Sequence, residues 1–206
     1  MQSIVDLHRR AVAAVHPVLR RITPADLDLP TPCAGWDLHT LLEHMAGQDR
    51  GFAAAVRAAR AGGEADVSAF APHPLGPSPA TTLADGLDEV VAAFAEPVDG
   101  PVLLPEFDRR VPAPVVVQMH LIDTLVHGWD VAASLGAQAG YGAGLDAEAV
   151  AAALAMSEQI PDDAHRETPG ASFAHALPAP AGANPWTRVL TLLGRDPAWT
   201  SDRVAR

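Results

Sequence analysis

Between Ser3 and Ile22 apolar residues recur at Ile4, Leu7, Ala11, Val15, Val18 and Ile22, every third or fourth position, which is the period of an amphipathic helix. Pro17 kinks this helix or lies near its end. The Pro- and Asp-bearing stretch from Thr23 to Gly35 predicts a loop. Asp37 then serves as N-cap for a helix from Leu38 to about Ala61, with Leu38, Leu41, Leu42, Met45 and Phe52 facing the core. Gly62 to Ala80 contains adjacent glycines and four prolines, so a long connection is expected there, of the kind that is often functional or mobile. A third helix follows from Thr81 to about Glu96, buried through Leu83, Leu87, Val90, Val91 and Phe94 and stopped by Pro97 and Gly100. Pro112 and Pro114 open a fourth, Val115 to Leu135, which Gly136 ends. After a glycine-rich turn around Tyr141 the pattern predicts a helix from Asp146 to Ile160. A tail with the apolar alternation Ser-Phe-Ala-His-Ala-Leu-Pro-Ala-Pro is expected to pack on the bundle. A last helix, Trp186 to Leu193, has Asn184 as N-cap, Pro185 at its first position and Gly194 at its end.

These elements make a mainly α protein: a helical bundle over residues 1–162 and a short α/β extension over 163–206. A chain of 206 residues, 49% hydrophobic, can bury one substantial core, and no polar tract divides it. Its formal charge of -11, with no basic block, argues against nucleic acid and anionic lipid as partners. The N-terminal segment lacks the apolar core of a signal peptide and no run of about 18 apolar residues occurs, so a cytoplasmic location off the membrane is expected. The single cysteine, Cys33, excludes an internal disulfide and a thiolate-cluster zinc site. Any metal would need His and carboxylate ligands, and nine histidines are present.

The chemistry concentrates in His120-Leu-Ile-Asp123-Thr-Leu-Val-His127-Gly-Trp-Asp130. At about 100° per residue the four polar members fall within roughly 80° of one helix face. Surrounded by Leu, Ile and Val, they must be paired or metal-bound to offset their desolvation. Asp123 and His127, four residues apart, can reach one ion, and a facing helix would complete the set. His44, beside Leu41, Leu42 and Met45 on the second helix, is the candidate third ligand. Three protein ligands with an open position is the pattern of a catalytic metal site. The blander reading is that Asp123 and His127 hydrogen-bond each other and His44 is a core histidine.

Three stretches in order carry a resemblance: Thr31-Pro-Cys-Ala-Gly-Trp-Asp37 with Leu41-Leu-Glu-His44, then Asp123-x-x-x-His127-Gly-Trp-Asp130, and finally Leu192-Leu-Gly-Arg-Asp-Pro197. Together they resemble actinobacterial metal-binding proteins of the DinB superfamily, in the branch similar to the N-terminal domain of mycothiol-dependent maleylpyruvate isomerase. The resemblance implies a four-helix bundle with a long crossover. It also implies zinc held by a His on the second helix and a later Glu-x-x-x-His pair, matching His44, Asp123 and His127. Asp123 is one methylene shorter than the family's Glu, which leaves open whether His120 completes the site instead. The resemblance further implies a low-molecular-weight thiol such as mycothiol as cosubstrate, bound at the open metal position and attacking an electrophilic carbon of a small substrate. The isomerase carries a larger C-terminal domain that contributes a catalytic Arg; here only a short tail follows His165, and Arg188 or Arg195 is an available anion-binding group.

Other residues have paired readings. Asp130 either orients a ligand imidazole from behind or salt-bridges at the surface. His120 or Asp130 would be the base if metal-activated water, not a thiol, were the nucleophile. Gln48, one turn after His44, could face the same cavity and contact substrate or cosubstrate. Trp36 and Trp129, each between Gly and Asp, either line the metal pocket or pack in the core. Cys33 has no evident base nearby and is expected to be a small packed residue, while His73, His165 and His175 fall in loops. Three functions stay open: a thiol-dependent transferase or isomerase, a thiol-independent metal hydrolase or isomerase, and a non-enzymatic metal-binding bundle. No a/d seam specifies a homodimer, which the sequence leaves undecided.

Overall fold

The computed structural model describes residues 3–168 and 171–201. Its long helices are α1 (Ile4–Leu19), α2 (Leu38–Arg60), α3 (Pro79–Ala95) and α4 (Ala113–Ser134). Local chemistry sets their starts: the Ser3 hydroxyl accepts from the Asp6 N–H at 3.2 Å, and the Asp37 carboxylate accepts from the Thr40 N–H at 2.8 Å. Pro17 lies in the last turn of α1, which continues to Leu19.

α1 packs on α3 and α4, and α2 packs on the same two helices from the other side, so α1 and α2 lie across a diagonal of the four-helix bundle. The chain between α2 and α3 is not a free loop. A short 3-10 turn, Val67–Phe70, lies against α2 so closely that a Cβ on Gly47 would stand 2.4 Å from the Ala71 carbonyl oxygen, and one on Gly51 2.4 Å from the Phe70 ring. The His73 N–H donates to the Glu43 carbonyl at 2.9 Å, tying the end of this strap to α2 near His44.

A hairpin of β1 (Pro101–Leu104) and β2 (Arg109–Pro112), paired Pro101 to Pro112 and Leu104 to Arg109, links α3 to α4 in the chain and packs on α2 and α4. Pro112, read in the sequence as opening the fourth helix, ends β2, and the strands are four residues long, too short for a clear alternation. The extension over 163–206, expected to be α/β, has no strand among its described residues: 171–183 run without helix or strand, and the hairpin at 101–112 was not expected. Beyond α4 come α5 (Gln138–Tyr141), a single turn, α6 (Ala147–Ser157) and α7 (Pro185–Leu192). Gly128 of α4 admits α5: the Tyr141 hydroxyl donates to the Leu125 carbonyl at 2.9 Å, where a Cβ on residue 128 would meet it. α7 packs on α6 and, with Leu193 just past its end, adds Val189 and Leu190 to the main core with Val15, Leu41, Leu121 and Leu125. A second cluster, Phe52, Phe70, Phe94, Val102 and Val116, joins the strap and hairpin to the bundle. Among the described residues no helix is long and apolar enough to cross a membrane.

Alanine for glycine in a solvated helix stabilises by up to about 1 kcal/mol. At Gly47 the sign should reverse, because the new methyl meets strap backbone. Gly47→Ala is expected to destabilise by roughly 1–3 kcal/mol in urea unfolding; an unchanged or raised midpoint would mean that the strap does not pack on α2 in solution.

Candidate metal centre

α2 and α4 face each other with His44 on one and Asp123 and His127, one turn apart, on the other. One donor atom from each of the three lies within 4.8 Å of the others. His127 Nε2 and Asp123 Oδ1 are 3.4 Å apart. That is the spacing of two ligands on one tetrahedral ion, each about 2.0–2.1 Å from it. The His44 ring stands edge-on to His127 at 5.2 Å, and the Trp36 ring packs on it, tilted, at 4.9 Å. Burial is the main reason the His44 pKa falls to about 4, against the pull of Asp123, so its imidazole is neutral and able to coordinate. Burial also opposes charge on His127, but Asp123, Asp130 and Cys33 outweigh it and push the pKa up to about 10. The site attracts positive charge, and its donors fit a divalent ion.

Behind His127 the supports are equally specific. Asp130, with no solvent exposure, lies 2.9 Å from His127 Nδ1 through Oδ2 and so directs Nε2 toward Asp123. Of the two readings of Asp130, a surface salt bridge is thereby excluded. Arg195 donates to the same carboxylate, at 3.1 Å from Nη2 and 3.4 Å from Nε. Burial would raise the Asp130 pKa, yet Arg195 and His127 hold it below the ordinary carboxylate value. Cys33 also reaches this cluster, its thiol 3.2 Å from Asp130 Oδ2. The loop that carries it is folded on itself: the Thr31 hydroxyl donates to the Trp36 carbonyl at 2.9 Å and accepts from the Cys33 N–H at 3.1 Å. Arg195 arrives through the end of α7, where Gly194 has φ +75° and the Arg195 N–H returns to the Leu190 carbonyl at 2.8 Å.

His120 shares a face with Asp123 and His127 but enters a different cluster. Its Nε2 is 3.0 Å from Asp49 of α2, and its Nδ1 is 2.8 Å from His8 Nε2 of α1 and 3.1 Å from the Thr124 hydroxyl. Phe52 and Phe94 pack on the His120 ring, at the boundary of the two apolar clusters. Burial raises the Asp49 pKa against the pull of His120; burial, with His120 adding, takes His8 well below the ordinary value. His8 and Asp49 were missed in the sequence although both fall on apolar stripes, with Ile4, Ala11 and Val15 and with Met45 and Phe52. Gln48 faces the hairpin tip, its amide donating to Glu106 at 3.0 Å; partial burial raises the Glu106 pKa, with Asp123 adding and Gln48 opposing. Trp129, 2% exposed, lies apart from the three donors, lining a cleft of about 510 Å³ between α4, α6 and α7. His165 and His175 are exposed and His73 is half-buried.

Residues 8–132 match the model of the mycothiol maleylpyruvate isomerase N-terminal domain, a stretch that runs from within α1 to within α4 and includes His44, Asp123 and His127. The chain belongs to that family. Two uncharacterized proteins of Mycobacterium tuberculosis, from two strains, are 30% identical over 198 residues, covering 91% of this chain and 95% of theirs. The crystal structure of the mycothiol-dependent maleylpyruvate isomerase is similar in fold, with TM-score 0.52 at 16% identity over 76% of this chain and 72% of that one. Arg195 lies outside the matched stretch of the isomerase N-terminal domain, yet it completes the support of His127.

His120 and the donor set can be separated by measurement. His120→Ala strands the buried Asp49 and should cost about 3–5 kcal/mol of stability while leaving metal content unchanged; loss of metal from a folded His120→Ala protein would instead place His120 among the ligands.

Proposed function

We propose that the protein holds one divalent metal, zinc by the chemistry of its donors, through His44, Asp123 and His127. We further propose that it uses a low-molecular-weight thiol of the mycothiol type to transfer to, or isomerise, a small electrophilic molecule. The observation that carries this reading is the convergence of three donors from two helices, with Asp130 fixing His127 from behind, in a chain of this family. When bound, a divalent ion supplies the Lewis acidity that favours the thiolate form of the cosubstrate.

The chain's own residues do the rest. Asp130, itself held by Arg195, keeps His127 Nδ1 occupied so that Nε2 faces the donors. His44 is kept neutral by burial. Gln48 and Glu106 form a polar rim one helical turn from His44, where a carboxylate with a raised pKa can accept the thiol proton. Trp36 covers one face of His44. His120 and Asp130 are both without solvent exposure and hydrogen-bonded within the protein, which suits positioning more than contact with a substrate.

Mass-spectrometric metal content of protein purified without a metal-affinity tag tests the premise. Wild type should carry about one equivalent, lost in His44→Ala and His127→Ala with helical circular dichroism retained. No metal in wild type, even after reconstitution, defeats the reading. Mycothiol added to the cobalt form should shift its spectrum by sulfur ligation; an unchanged spectrum would point to a thiol-independent reaction.

A further inference from the structure

His127 presents its two ring nitrogens to two different donor sets. Asp123 and His44 lie toward Nε2. Cys33 and Asp130 lie toward Nδ1, and with His127 they too bring one donor atom each within 4.8 Å of the others. The cysteine sulfur is 3.9 Å from His127 Nδ1 and 3.2 Å from Asp130 Oδ2. A thiolate, a deprotonated ring nitrogen and a carboxylate at such spacing are a competent set for zinc, cobalt or copper, softer than the first; an ion entering it would send the Cys33 thiol proton and the His127 Nδ1 proton to solvent, with His127 bridging as imidazolate when the Nε2 side is also filled.

A cation already occupies this second set. Arg195, 5% exposed, places Nη2 3.1 Å from Asp130 Oδ2 and 3.3 Å from Cys33 Sγ, while its Nη1 donates to the Leu193 carbonyl at 2.9 Å. A guanidinium cannot shed its charge in a protein, and here it cannot swing into solvent because its other nitrogens are bonded to Asp130 and to the end of α7. It therefore satisfies the charge that would otherwise draw a second ion, and it stands where that ion would approach.

We propose that Arg195 is a resident cation that closes the Cys33, His127 and Asp130 donor set to metal and so confines the centre to a single ion on the Nε2 side of His127. The identity of that first ion's site rests on the function proposed above. The exclusion at Cys33 does not, and it has its own readout.

Cobalt stoichiometry by equilibrium dialysis, with near-ultraviolet sulfur-to-cobalt absorption, tests the exclusion in Arg195→Gln, which removes the charge but keeps an amide donor for Asp130. Arg195→Met removes both, and Arg195→Lys keeps the charge. Wild type and Arg195→Lys should bind about one equivalent without a protein sulfur band, whereas Arg195→Gln should bind about one more and gain the band. The additional ion should persist in Arg195→Gln/His44→Ala and vanish in Arg195→Gln/Cys33→Ser. Folded Arg195→Gln or Arg195→Met protein that gains neither cobalt nor a sulfur band overturns the proposal. So does wild type that already shows a Cys33-dependent band, an arm that needs no variant at position 195 to fold. Should wild type bind no cobalt, the metal reading fails, yet a Cys33-dependent ion gained in Arg195→Gln still upholds the exclusion and its absence still defeats it.

Discussion

A buried carboxylate on α4, Asp130, is held between the His127 imidazole and the Arg195 guanidinium, and that shared charge draws three distant parts of the chain to one point. Removing one member of such a group leaves an uncompensated charge in a medium that solvates it poorly. The loop around Cys33, the middle of α4 and the end of α7 therefore hold their positions together. Every backbone device nearby serves the same convergence: the turn at Gly35, the left-handed Gly194, and the Thr31 hydroxyl that closes the loop on itself.

α4 delivers polar groups at two levels, and α2 answers each. At one level His44 meets His127 and the partly exposed Asp123 carboxylate. Five residues further along α2, Asp49 meets His120 and, through it, His8 of α1. The first level has solvent access and converging donors, as a site for chemistry needs. The second is sealed by Phe52 and Phe94, and Gly86 of α3 gives Asp49 its room. A hydrogen-bonded group of this kind favours one alignment of α1, α2 and α4, because any slip along a helix axis would strand a buried polar side chain.

Much of the fold was legible because helical amphipathicity and capping are local. Asp37 and Asn184 cap as their positions imply, and the Leu83 to Phe94 stripe of α3 needs only the 3.6-residue period to be seen. The hairpin was not legible, since the prolines that look like breakers sit at the ends of very short strands and pair with each other. The strap over α2 reads in the sequence only as a long connection because its packing depends on Gly47 and Gly51, whose role appears only when Phe70 and Ala71 lie against them.

By itself the sequence determined which polar residues share one face of α4, because side-chain type and helical spacing are properties of one segment; the nearness of His44 to Asp123 and His127 is a matter of how α2 packs on α4. Only the tertiary structure decided how those polar residues divide. His120 and Asp123 are three residues apart on one face, yet one meets Asp49 and the other lies beside His127, according to the depth at which α1 and α2 cross α4. It also decided the partners of Cys33 and Arg195, which are 162 residues apart and meet over Asp130. The reason is physical: periodicity fixes the direction of a side chain about its own helix axis, whereas the charge that compensates it comes from whichever segment the packing brings near.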